Sequence, residues 1–183
     1  MKKLVAVILA LFSVTVLASC TGGSESNVSS TGSEEQKEPA DVQALVLWAL
    51  EEGEFSGGTL YSSGDAEGAV KFDDDLLRGY YGDAAEAPVT SDFVSYCAYI
   101  DETKPVNPCE TGVFEMVSEE AALLMEAYIN ARIQLKLANA VNYPSIDTTP
   151  LTTAVVKAVG KYVYYTAVKD INASVAAKYD GAL

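Results

Sequence analysis

Two basic side chains in an apolar helical pattern are the residues of this 183-residue chain best placed for chemistry. Arg132 and Lys136 are four positions apart, and both project on or beside the apolar stripe of a predicted helix. A guanidinium close to a protein core must be paired or otherwise satisfied. Three interpretations follow: a pocket that binds an anion or carboxylate, a buried ion pair with one of the chain's many acids, or a side chain at the helix edge whose apolar stem is buried while its charge reaches solvent.

An aromatic surface is a second candidate. Lys157, Tyr162 and Tyr164 fall on one side of a predicted hairpin, opposite the side that is expected to face the core. An exposed aromatic stripe of this kind binds a partner or a glycan. The alternative is that another helix or the N-terminal linker covers it.

Histidine is absent from the chain. Its absence excludes Ser-His-Asp and Cys-His catalysis and every zinc site that uses histidine. The sequence also lacks a GxSxG motif, a Gly-rich phosphate loop and a CxxC pair. We therefore expect no cofactor and no catalytic residue, and the sequence favours a protein that is not an enzyme.

Acids outnumber bases by 26 to 12, which gives a formal net charge of −14. This balance argues against nucleic acid and anionic lipid as partners, since both require a basic patch. Calcium binding by acidic loop residues is conceivable on chemical grounds. The sequence has no EF-hand pattern, however, so we expect no metal site and assign helix capping and solvation to the acids in question, Asp65, Glu67, Asp73, Asp74 and Asp75.

The N-terminus carries an export signal. A basic start is followed by an apolar run over residues 4–17, which is shorter than the ~20 residues of a membrane span. The run ends in Leu17-Ala18-Ser19-Cys20, which resembles the lipobox of bacterial lipoproteins. There the peptide is cut before the cysteine, and a diacylglyceryl group on its thiol supplies the two chains of a stable anchor. The alternative is an ordinary signal peptide cut near Ala18.

These features predict three regions: a signal peptide at 1–19, a lipidated Cys20 with a disordered polar linker at 20–40, and one folded domain at 41–183. The predicted location is the extracytoplasmic side of the cell membrane. In an exported protein the remaining cysteines, Cys97 and Cys109, are expected to form a disulfide. A reactive thiol is the alternative, although it lacks the basic neighbours that lower a cysteine pKa.

The predicted order of elements is helix, loop with room for one short strand, short helix, two strands, long helix, hairpin and closing helix. Asp41 is expected to cap the first helix, and the hairpin pairs 154–159 with 162–168 around Gly160. The long helix, 118–140, is expected to bury Ala121, Leu124, Met125, Tyr128, Ala131 and Leu135. The predicted fold is α+β, an antiparallel sheet of about four strands with the helices on one face.

The part of the chain from Leu76 to Val168 resembles an uncharacterised family of small bacterial lipoproteins, domain of unknown function 4358. The segments that carry the resemblance are Tyr80-Tyr81-Gly82, Cys97-Ala98-Tyr99, Gly112-Val113-Phe114, Arg132-Ile133, Tyr143-Pro144, Val155-Val156 and Gly160-Lys161-Tyr162-Val163. The resemblance implies a lipobox, an acidic linker and one small domain. It implies no activity and no catalytic residue.

Our first hypothesis is therefore a membrane-anchored binding or interaction module with an envelope or extracellular partner that the sequence does not identify. The alternatives are a carboxylate-dependent hydrolase of cell-wall or extracellular polymers, and a protein that captures cations or small ligands.

Overall fold

A computed structural model describes residues 38–102, 109–140 and 142–183. The predicted signal peptide, Cys20 and most of the predicted linker lie outside the described residues. Within the described ranges, none of the helices combines the length and the apolar character that crossing a bilayer requires.

Helix α1, Val42–Glu52, begins where the sequence predicts it. The carboxylate of Asp41 accepts a hydrogen bond from the backbone N–H of Ala44 at 2.9 Å, which satisfies an amide that the helix leaves unpaired. The helix ends at Gly53. Its buried residues are those of the predicted apolar face, Val42, Leu45, Val46 and Ala49.

The described residues form one antiparallel sheet of five strands in the order β1-β2-β3-β5-β4. The predicted α+β class is confirmed, with one strand more than expected because the loop after α1 contributes β1 at an edge. The strands are β1 (Thr59–Ser62), β2 (Phe93–Asp101), β3 (Cys109–Met116), β4 (Val155–Val159) and β5 (Tyr162–Ala167).

The hairpin of β4 and β5 has the predicted register, with Val159 opposite Tyr162 and Lys157 opposite Tyr164. Gly160 lies in the tight turn at a φ of +57°, a conformation that costs glycine little. The turn therefore determines which strand residues face each side of the sheet.

The two edge strands are short. β1 has four residues, and its outer side is bridged by Val70, which accepts from the N–H of Ser62 at 3.0 Å and donates to the carbonyl of Leu60 at 2.9 Å. β4 has five residues with Lys157 at its centre.

Helices pack on both faces of the sheet, whereas the sequence predicted one covered face. One face packs against α2 and α3, and the opposite face packs against α1 and α5. The expectation failed because both sets of alternating strand residues are apolar enough to be buried. The remaining helices are α2 (Asp74–Tyr81), α3 (Glu119–Ala140), α4 (Thr149–Thr152) and α5 (Asn172–Ala182).

The buried face of α3 differs from the predicted one. Leu124 and Leu135 were expected in the core but are 39% and 63% exposed. Apolar residues recur on most sides of this helix, so its periodicity alone does not select the core face. The residues that it buries are Ala122, Met125, Ile129, Ile133 and Ala140.

No disulfide joins Cys97 to Cys109, which corrects the prediction. β2 and β3 pair so that Cys97 lies opposite Val113, while Cys109 lies opposite Asp101. The two cysteines are thus four positions apart along the sheet, roughly 13 Å at ~3.3 Å per residue. A disulfide requires Cα atoms within about 7 Å.

We expect Gly112→Ala to lower the free energy of unfolding by about 1–3 kcal/mol because it overpacks the core. A Cβ at this position would lie 2.7 Å from Cε1 of Tyr165 and 3.0 Å from Cβ of Ala98. Urea denaturation followed by far-UV circular dichroism measures the change.

The matched control is Gly79→Ala within α2, where a Cβ would meet no atom within 4 Å. We expect this variant to be stabilised, by roughly 0.5–1 kcal/mol, since alanine favours a helix over glycine. Equal stability of the two variants would contradict the role assigned to Gly112.

Candidate functional site

A buried carboxylate with two cations bound to one oxygen is the most strongly charged feature of the domain interior. The side chain of Glu110 is fully buried. Its Oε2 accepts hydrogen bonds from Nε and Nη2 of Arg132 at 3.1 and 3.0 Å, and from Nζ of Lys136 at 3.1 Å. The two basic residues that the sequence singled out thus meet at a single carboxylate.

The secondary structure explains why these three side chains meet. Arg132 and Lys136 are one helical turn apart on α3, so both point toward the sheet. Glu110, Gly112 and Phe114 alternate along β3 and face the same helix. Glu110 lies one residue into β3, where the ends of both basic side chains reach it.

Aromatic rings close the site on the α2 side. The guanidinium carbon of Arg132 lies 4.8 Å from the ring centroid of Tyr80 and 6.0 Å from that of Tyr81, within the range of cation–π attraction. Nη1 of Arg132 also donates to the backbone carbonyl of Tyr80 at 3.2 Å. The guanidinium is therefore held by a carboxylate, a carbonyl and two rings.

Burial and neighbouring charge shift the pKa of Arg132 in opposite directions. Burial is the largest single influence and lowers the pKa of the guanidinium. The charge of Glu110, the nearby Tyr165 and Tyr81 and the hydrogen bond to Glu110 together outweigh burial, so the pKa is held above its ordinary value. Arg132 is a permanent cation in this site. A charge that is buried and paired in this way acts as a structural support, and it is unsuited to proton transfer near neutral pH.

A cleft of about 510 Å³ lies beside the cluster. Glu102, which is 57% exposed, links the two because its Oε1 lies 3.5 Å from Nη2 of Arg132. The remaining acids at the cleft have local partners: Asp73 caps α2 through the N–H of Leu76 at 2.8 Å, and Asp75 pairs with Arg78 at 3.1 Å. The cleft is lined by Asp73, Asp75, Leu76, Gly79, Tyr80 and Glu102.

The acids considered for calcium do not come together as a metal site. Within the described ranges, no group of three or more histidine, cysteine, aspartate or glutamate side chains is placed to hold a metal ion. Asp74 instead accepts a hydrogen bond from the N–H of Thr90 at 2.8 Å, which lowers the pKa of its carboxyl group. The expected capping role is therefore observed for Asp73, whereas Asp74 binds the backbone of a separate segment at Thr90.

The predicted aromatic surface is largely covered. Tyr164 is fully buried beneath α5, and its hydroxyl donates to Oδ1 of Asp180 at 2.9 Å. Lys157 reaches the same oxygen at 2.7 Å. The hydroxyl of Tyr162 accepts from the N–H of Ala40 at 3.2 Å, so the chain before α1 lies over this side chain. The three residues do share one face, but α5 and the end of the linker occupy it.

Cys97 is not suited to thiol chemistry. Burial raises the pKa of its thiol to about 12, with a smaller opposing effect from Ser62. A thiol that stays protonated is a poor nucleophile.

Sequence reasoning missed the two carboxylates that organise these faces, Glu110 and Asp180. Both are common acids in a chain that contains 26. The alternation of Glu110 with Gly112 and Phe114 on a strand was the one signal that could have indicated its burial. Nothing comparable marks Asp180, which lies near the end of α5.

No protein-family model matches this chain, and no curated protein or solved structure is significantly similar to it. Membership of the lipoprotein family named above therefore stays a prediction.

We expect Glu110→Gln to lower the free energy of unfolding by about 3–5 kcal/mol, because it removes the buried carboxylate that the largely buried Arg132 and the partly buried Lys136 share, and leaves Arg132 only the exposed Glu102. Thermal and urea denaturation measure the loss. The control is Glu115→Gln on the same strand, where a half-buried carboxylate accepts a hydrogen bond from the Ser95 hydroxyl at 2.8 Å. A small, equal effect of the two substitutions would show that the buried cluster does not support the fold.

Proposed function

We propose that this protein is a lipoprotein of the bacterial cell envelope, anchored on the extracytoplasmic side of the membrane through Cys20, whose folded domain is a non-enzymatic binding or interaction module. The observation that carries the proposal is the lipobox-like Leu17-Ala18-Ser19-Cys20 at the end of a short apolar run with a basic start. The acidic linker and single small domain agree with the layout of the resembling family.

The state of the ionisable groups supports binding over catalysis. A general acid that works near neutral pH needs a carboxyl pKa raised by burial or by a second acid. Asp180 shows the opposite, because the hydrogen bond from Lys157 favours its charged form and lowers its pKa. In the described residues every shifted carboxyl pKa is lowered, namely those of Asp74, Glu120, Asp147 and Asp180.

The outer face of α3 is the surface best suited to contact a partner. After the exposed Glu119 and Glu120 of its first turn, the other exposed residues of the helix carry no charge, and Glu126 is only partly exposed, although the chain as a whole has a net charge of −14. Leu123 and Leu135 are 60% and 63% exposed. The face consists of Leu123, Leu124, Ala127, Asn130, Ala131, Gln134, Leu135 and Ala138.

Charge decides what kind of partner this face fits. A second copy of so acidic a chain is repelled over most of its surface, whereas a different protein with an uncharged apolar surface meets no such repulsion. Burying leucines that are more than half exposed also supplies a favourable free energy of binding. The occupant that we assign is therefore an envelope protein that presents an uncharged apolar patch.

Replacement of Cys20 by alanine tests the anchor. We expect the wild-type protein, expressed in a bacterial host that processes lipoproteins, to incorporate labelled fatty acid and to begin at a diacylated Cys20 in mass spectrometry. Cys20→Ala should lose the label and leave the membrane fraction, while Cys97→Ala keeps both. A labelled Cys20→Ala protein, or a wild-type N-terminus elsewhere, would contradict the anchor.

Photo-crosslinking in cells tests the interaction face. A photoreactive residue at position 135 should capture one defined envelope protein, and Leu123→Lys should abolish that product without changing the thermal midpoint. Position 70 is the control, since Val70 is 45% exposed but distant in sequence from α3. Equal capture from both positions, or crosslinks only between copies of this chain, would contradict the assigned partner.

A further inference from the structure

Three buried polar atoms near Arg132 lack a hydrogen-bond partner among the described residues. They are Oε1 of Glu110 and the hydroxyl oxygens of Tyr81 and Tyr165. Burying one such group without a partner costs about 1–3 kcal/mol, so three in one place call for an explanation.

The three atoms belong to one cluster. The rings of Tyr81 and Tyr165 both pack against Phe114, each with its centroid 6.2 Å from the Phe114 centroid. Tyr165 lies opposite Gly112, the residue two positions along β3 from Glu110, and the missing Cβ of that glycine makes room for the Tyr165 ring. The charge of Glu110 acts on both hydroxyl groups. The two hydroxyls are also near enough for a side-chain hydrogen bond to affect the pKa of each, but its geometry falls short of an ordinary hydrogen bond, so both atoms stay unsatisfied.

The donors and acceptors of these three groups define which ligand can satisfy them. Burial raises the pKa of Tyr81 and of Tyr165, so each keeps its proton and offers one O–H donor. Oε1 of the carboxylate can only accept. A ligand that accepts from two hydroxyls and donates to one oxygen satisfies all three atoms at once.

The charges select a neutral ligand. Arg132 and Lys136 both pair with Oε2 of Glu110, so the carboxylate has its counter-ions already. A further cation would meet these two at short range. Water is the smallest neutral molecule with two donors and two acceptor lone pairs, and buried waters in proteins make about three hydrogen bonds.

We propose that one buried water molecule is bound between Oε1 of Glu110 and the hydroxyl groups of Tyr81 and Tyr165. It accepts from the two phenols and donates to the carboxylate. By holding Oε1 it keeps the carboxylate turned so that Oε2 faces Arg132 and Lys136. This site is independent of the anchor and of the partner proposed above.

Magnetic relaxation dispersion of the water ¹⁷O nucleus counts long-lived internal waters in the intact protein in solution. The double variant Tyr81→Phe, Tyr165→Phe leaves one partner, fewer than the two that a buried water needs. We expect it to hold one long-lived water fewer than the wild type. Tyr164→Phe, which removes a buried hydroxyl on the opposite face of the sheet, should leave the count unchanged.

A crystal structure of the wild-type protein gives a second measurement that does not depend on how the variants fold. Ordered density within hydrogen-bond distance of all three atoms supports the site. A tyrosine hydroxyl bonded directly to Oε1 with no density between them overturns it, and so does an unchanged water count in the double variant.

Discussion

Glu110 imposes the constraint on which this domain depends. A carboxylate that is fully buried must be neutralised, and here two cations from one helix do so at a single oxygen. Because Arg132 and Lys136 are four residues apart, they fit Glu110 only when α3 lies in one rotation and one translation over β3. The helix is apolar on most sides, so hydrophobic burial alone leaves its rotation poorly defined. The ion cluster supplies the directional information that the hydrophobic pattern lacks.

The difference between local signals and contacts that are distant in the sequence explains what could be predicted from the sequence. Local signals worked: Asp41 caps α1, and the turn at Gly160 sets the register of β4 and β5. The buried face of α3 could not be predicted, because the rotation of the helix depends on the contact of Arg132 with Glu110, which belongs to a different element. The expected Cys97–Cys109 disulfide failed for a related reason, since the distance between them is determined by strand register and not by their short separation along the chain.

Both faces of the sheet use the same arrangement of charge. On one face Glu110 receives Arg132 and Lys136, and on the other Asp180 receives Lys157 and the hydroxyl of Tyr164. Each carboxylate fastens a helix to the sheet: Glu110 on β3 binds side chains of α3, and Asp180 on α5 binds side chains of β4 and β5. The side chains that the sequence marked as candidates for binding a ligand thus bind carboxylates of the domain itself. They are Arg132, Lys136, Lys157 and Tyr164. The outer surface of α3 owes its exposure to the same constraint, since the ion cluster turns Leu124 and Leu135 outward.

The short edge strands have a consequence for the membrane anchor that we propose, which would hold many copies of the domain close together. Proteins held on a membrane surface meet their neighbours far more often than proteins in free solution do. An open strand edge would then invite strand-to-strand aggregation. Here Val70 occupies the backbone groups at the outer side of β1, and a lysine stands at the centre of β4. Each edge therefore carries a feature that disfavours the addition of a strand from another molecule.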